Sequence, residues 1–217
     1  MEQPITTIIA GITVLVSLYG FSNREQLSKM LMNPYQVVHH KEYGRLFLHG
    51  LVHADFVHLF FNMFVFYEFG KILEMVFTSR EFFNRVFPDE VFWGEATGTS
   101  YFLMLYIGAI LVATVPSLMK HRDNPGYNSL GASGAVSAVL IAFILMFPSA
   151  QLALFFVIPM PAWVAGILFF VFEWYMNKRG NTGIAHDAHL YGAIFGVLFV
   201  TLIQPGVWLR FVSELGL

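Results

Sequence analysis

Residues 124–173, NPGYNSLGASGAVSAVLIAFILMFPSAQLALFFVIPMPAWVAGILFFVFE, run for 49 positions without a charge before Glu173 closes the stretch. As a single helix rising 1.5 Å per residue it would be about 74 Å long. The hydrocarbon core of a bilayer is only about 30 Å thick. The stretch therefore predicts two membrane helices. The break falls at Phe147-Pro148-Ser149-Ala150-Gln151, because proline cannot donate a backbone N–H and forces its predecessor out of helical geometry. One helix is expected over 131–147 and the next over 152–175, the latter kinked at Pro159 and Pro161.

Working outward, the rest of the chain has the same character. Hydrophobic residues make up 57% and charged residues 12%, about half the charged fraction of a soluble domain. A net charge of -2 points away from nucleic acid. The absence of cysteine excludes disulfides, thiolate metal ligands and a cysteine nucleophile. Further apolar runs predict helices over 4–22, 56–75, 97–119 and 185–203. The first is read as a retained helix, since Met1-Glu2-Gln3-Pro4 carries no basic leader. Residues 24–55 form a long polar segment, and 77–98 mix charges with Phe82, Phe83, Phe87, Phe92 and Trp93 in the manner of an interfacial segment. Glu68 and Lys71, three apart, can pair on one helix face. Asn177-Lys178-Arg179-Gly180-Asn181 reads as a loop, and Pro205-Gly206 ends the last helix. The expectation is one all-α membrane domain, a six-transmembrane-helix bundle with a long loop segment between helices one and two.

In an alternating bundle, helices two, four and six start on the same side. Their first turns hold His58 and Asn62, then Gly131-Ala132-Ser133-Gly134, then His186 and His189. Polar groups are expensive in hydrocarbon, so their convergence marks a functional site. A serine hydroxyl needs a neighbouring base to act as a nucleophile, and His189 can serve. Ser133 at a helix N-terminus has unpaired backbone N–H groups beside it. His58 and Asn62 can add donors for an oxyanion. Gly192 and Gly196 follow His189 at i+3 and i+7, a smooth stripe for close packing on helix four.

Gly131-Ala132-Ser133-Gly134, His58 with Asn62, and Ala188-His189-Leu190-Tyr191-Gly192 with Gly196 resemble the signatures of rhomboid intramembrane serine proteases. The resemblance covers about residues 42–196. It implies Ser133 as nucleophile and His189 as base in a dyad, with His58, Asn62 and the Ser133 backbone as oxyanion hole. It further implies single-pass transmembrane proteins as substrates, the lipid bilayer as medium, and no metal or other cofactor. Many members carry an aromatic residue four positions after the nucleophile, where this chain has Ser137. Many also carry a Trp-Arg pair before helix two, where this chain has Gly44-Arg45.

Blander readings stand beside these. The small residues around Ser133 are also ordinary helix-packing material. His186 and His189, one turn apart, form half of a metal site, but no carboxylate or thiolate set completes it; His186 is read as a rim or tuning residue. Asp187 points away from His189 and is read as an interfacial charge. His49 and His53 are read as packing or hydrogen-bonding residues of the loop, and His39 and His40 as solvated. Two rival functions remain: a non-catalytic rhomboid-like client-binding protein, and a bis-histidine haem protein. Lys and Arg number eight on the side of the three helix starts and four on the other. The positive-inside rule thus opposes the outward-facing site that the resemblance implies. The compact chain suggests a bacterial inner membrane.

Overall fold

In hydrocarbon a backbone must satisfy its own N–H and C=O groups, so each apolar run folds as a helix. A computed structural model describes residues 4–154, 157–180 and 183–216. Helix α1 spans Pro4–Ser22. It is followed by α2 (Arg24–Met30), α3 (Pro34–His40), α4 (Arg45–Leu48) and a 3-10 turn (His49–Leu51). Then come α5 (Phe56–Thr78), α6 (Arg80–Val86), α7 (Glu95–His121) and α8 (Ser133–Met146). A hairpin of β1 (Gln151–Leu154) and β2 (Ile158–Pro161) leads into α9 (Ala162–Arg179), α10 (His186–Ile203) and α11 (Val207–Glu214). The protein is a helical membrane protein with one short hairpin: α1, α5, α7 and α10 are each long and apolar enough to cross a bilayer. Large apolar side chains such as Leu15, Phe60, Ile167 and Leu202 cover the outside of the bundle.

Helix α8 is the axis. Every residue of it except Ser133 and Leu140 is buried, walled by α5, α7 and α10. Its 14 residues reach about 21 Å, well short of a 30 Å hydrocarbon core. The helix is thus enclosed by its neighbours, and the chain before it is led into the bundle to reach Ser133.

Two anchors hold the periphery. Glu74, buried near the far end of α5, accepts the N–H groups of Ile5 (3.0 Å) and Thr6 (2.8 Å) and the Thr6 hydroxyl (2.6 Å), and so caps the start of α1. In the segment between α1 and α5, Arg45 donates to the carbonyls of Ser28 (2.8 Å) and Leu31 (2.9 Å) and pairs with Glu42. Met32 and Ser129 exchange backbone hydrogen bonds, tying this segment to the chain that precedes α8.

Several expected boundaries need correction. The helix expected over 152–175 is a hairpin followed by α9, with register Gln151↔Pro161 to Leu154↔Ile158. Pro159 and Pro161 do more than kink a helix. Each lacks the N–H that a helix interior requires, and both are tolerated in a two-stranded ribbon where each strand is an edge. Residues 155 and 156 of that expected span lie outside the described residues. Asn177, Lys178 and Arg179 belong to α9 and not to a loop, and Asn181 lies outside the described residues, as do Met1, Glu2 and Gln3. The polar segment 24–55 is largely helical, in short pieces. The interfacial stretch contains α6, and α11 follows the expected end of the chain's last span.

Candidate active site

The site is built where α5, α8 and α10 begin. Asp55 caps α5 by accepting the His58 N–H (2.8 Å), which fixes His58 in the first turn. Gly131 has φ +111°, a left-handed conformation that side chains resist. Its N–H is held by the carbonyl of His49 (2.9 Å). The next N–H, of Ala132, faces His53 Nε2 (3.4 Å), while His53 Nδ1 lies 3.0 Å from the Ser17 hydroxyl, which donates to Leu51 O. Accepting at Nε2 requires the neutral ring. Burial favours that form, pushing the His53 pKa down to about 3, with the neighbouring His58 acting in the same direction. Burial likewise lowers the pKa of His49. The loop histidines thus clamp the turn that delivers Ser133.

Helix α8 makes its first bond from Val136 N–H to Ala132 O. The N–H groups of Ser133, Gly134 and Ala135 therefore have no intrahelical acceptor and carry the positive end of the helix dipole. A cavity of about 30 Å³ lies against this turn, lined by Ser133, Gly134, Thr114, His49 and Ala188 among others. It is large enough for about one water molecule.

His189, one turn into α10, places Nε2 2.7 Å from Ser133 Oγ. The pair meets because α10 lies directly on α8. A Cβ on Gly192 would sit 2.0 Å from Gly134 O, and one on Gly196 2.6 Å from Ala138 O. Gly134 is equally closed in, with the Ala113 Cβ 2.4 Å from where its own Cβ would stand. His58 packs against Gly131, where an added Cβ would lie 3.0 Å from His58 Nε2. Asn62 is buried one turn deeper on α5, its amide donating to His58 O (2.9 Å). That amide has a second N–H. Ser133, His189, His58 and Gly131 are therefore together, while the Asn62 side chain is turned towards its own helix.

The residue that sequence reasoning missed is Glu173 on α9. Its Oε1 lies 3.1 Å from His189 Nδ1, and its Oε2 lies 2.6 Å from His186 Nδ1. His186 is thus buried beside the site and not at its rim. The expectation that no carboxylate completes the His186/His189 pair is corrected: Glu173, His186 and His189 each offer a ligand atom, all within 4.8 Å of one another. That is the ligand count of an open zinc site, although here both rings face the carboxylate directly. The signal available in the sequence was the charge itself, ending a run of 49 uncharged residues. Asp187 pairs with Lys120 (2.7 Å) at the rim, and the exposed His39 bonds Asp123 (3.0 Å).

A family model described as the Rhomboid domain matches residues 40–205 of this chain. RHOMBOID-like protein 12, mitochondrial, of Arabidopsis thaliana is 32% identical over 166 residues, covering 73% of this chain and 47% of that protein. Rhomboid protein 1, mitochondrial, of Saccharomyces cerevisiae is 31% identical over 160 residues, 71% of this chain and 40% of that protein. Presenilin-associated rhomboid-like protein, mitochondrial, of Homo sapiens is 28% identical over 149 residues, 64% and 39% respectively. The matched regions span less than half the length of these relatives. Their names place them in mitochondria, which gives the expected bacterial inner membrane no support.

Proposed function

The chain belongs to the rhomboid family, and from that premise we propose that it is an intramembrane serine endopeptidase acting on transmembrane segments of single-pass membrane proteins. The observation that carries this reading is the 2.7 Å contact between Ser133 Oγ and His189 Nε2 at the half-buried start of a helix. As Ser133 Oγ bonds to the scissile carbonyl carbon, its proton passes to His189 Nε2. The tetrahedral oxyanion forms beside the unpaired N–H groups of the α8 first turn, with His58 flanking it and the second Asn62 N–H within α5 available on reorientation. Each such donor contributes roughly a hundred- to thousand-fold in rate. His189 then returns the proton to the departing amine, and water hydrolyses the acyl-enzyme. Neither nucleic acid nor a resident metal enters this scheme.

The test is labelling by a fluorophosphonate together with cleavage of a transmembrane reporter in proteoliposomes. Native protein labels and cleaves; Ser133→Ala loses both, and His189→Ala loses at least about 10³-fold in kcat. Cleavage that survives Ser133→Ala rejects the reading, and absence of labelling in the native protein favours a non-catalytic client-binding role.

A further inference from the structure

We propose that Glu173 is the third member of the catalytic assembly, a positioning acid that makes the site a Ser133–His189–Glu173 triad. This rests on the protease reading given above.

The geometry forms one connected chain. A carboxylate only accepts hydrogen bonds, so His189 Nδ1, 3.1 Å from Glu173 Oε1, carries the proton of that bond. The other ring nitrogen, Nε2, is then the lone-pair atom, and it is the one 2.7 Å from Ser133 Oγ. Glu173 thereby selects the tautomer that can accept the serine proton. When Nε2 takes that proton, the imidazolium keeps both N–H bonds. Nδ1–H remains on the ring, and Glu173 stays ionised beside the new positive charge.

Burial argues for the same role. Helix α9 turns Ala162, Gly166 and Glu173 inward, while its neighbours Val171 and Phe172 are exposed on the outside of the bundle. A carboxylate turned into the core is costly unless it is compensated. Its compensation comes from two imidazoles of one helix, His189 and, on the second oxygen, His186 Nδ1 at 2.6 Å. The His186 contact fixes the plane of the carboxylate so that Oε1 faces His189. Ser137, one turn after the nucleophile, spends its hydroxyl on Ser133 O (2.7 Å) and so is already engaged. Among the described residues, His58 at the start of α5 also interacts electrostatically with His189, and Asp187 of α10 is engaged by Lys120 of α7.

Glu173→Gln keeps the volume and removes the charge. In the transmembrane-reporter assay, kcat is expected to fall by at least about 10²-fold, with KM within about twofold. The acidic limb of the kcat profile moves to lower pH, because the imidazolium has lost its anionic partner. A residue that only holds helices together would not move that limb. Glu173→Asp restores the charge on a shorter arm, so part of the lost kcat returns and the limb moves back. Should Glu173→Gln fail to fold, Glu173→Asp decides alone: kcat within about tenfold of native, with the limb in place, supports the triad. Folded Glu173→Asp protein that is as inactive as Ser133→Ala overturns it. So does a Glu173→Gln variant with native kcat, or a native activity that chelators abolish and zinc restores, which would make the trio a metal site. If the native protein cleaves no reporter and labels with no fluorophosphonate, the protease reading fails and the triad fails with it. Native cleavage with an indifferent Glu173→Gln sinks the triad alone.

Discussion

Substituting Gly192 by alanine should damage catalysis as well as stability, because of where its single methyl group would go. That Cβ would stand 2.0 Å from the carbonyl oxygen of Gly134, about 1.4 Å inside the 3.4 Å at which ordinary contact begins. The obstructing atom is backbone in the buried core of α8, one residue after the nucleophile, so it cannot swing aside. Helix α10 must move out instead, by about 1 Å if the strain is shared. His189 lies three residues earlier on the same helix, so its 2.7 Å contact with Ser133 stretches beyond hydrogen-bonding range. A misplacement of that size costs on the order of 10²-fold in rate, and overpacking costs about 1–3 kcal/mol in stability. The assay is reporter cleavage in proteoliposomes beside thermal unfolding in micelles. Gly11→Ala is the control: its Cβ meets nothing within 4 Å, and helix propensity predicts a neutral or slightly stabilising change. Gly192→Ala with kcat/KM within threefold of native would show that α10 is not held in place by backbone contact with α8.

Two further outcomes follow from the anchors of the fold. His53 is neutral in the folded state, its pKa pushed down to about 3 chiefly by burial against an ordinary value of 6.5. Its contribution is therefore complete above pH 6.5 and lost as pH falls towards 3, at up to about 1.4 kcal/mol per unit. Unfolding midpoints of native and His53→Asn protein should converge as pH drops from 7 to 5; a gap that stays constant rules this out. Glu74→Ala leaves the Ile5 and Thr6 N–H groups and the Thr6 hydroxyl without their acceptor. It should lower stability by about 2–3 kcal/mol while sparing kcat at low temperature, since Glu74 lies sixteen residues along α5 from His58, about 24 Å. An early loss of kcat in the folded variant would contradict that separation.

Much of the site was legible because membrane helices have few residues able to do chemistry. His58, Ser133 and His189 stand out against an apolar background, and the count of spans puts their helix starts on one side. Gly131, Gly134, Gly192 and Gly196 were legible as smooth surface, though which atoms they admit was not. Less visible was the role of the segment before α5. Nothing in its pattern says that the His49 carbonyl and the His53 ring hold the Gly131-Ala132 turn, since those bonds join residues about 80 positions apart.

The unread part has a single cause. A helix running over 152–175 puts Glu173 at its last turn, where a charge merely marks the membrane boundary. The hairpin at 151–161 takes up ten residues of that run, because two prolines spaced by two fit a ribbon edge and not a helix interior. Helix α9 then starts at Ala162 and continues to Arg179, which moves Glu173 from the end of the helix to its twelfth position of 18. Six residues, about 9 Å, now separate it from the helix end. That inset brings Glu173 Oε1 to 3.1 Å from His189 Nδ1. One reassigned boundary thus turns an interfacial charge into a buried carboxylate level with Ser133 and His189. In a bundle of this kind the register of each helix, more than its existence, decides which charges can take part in the chemistry.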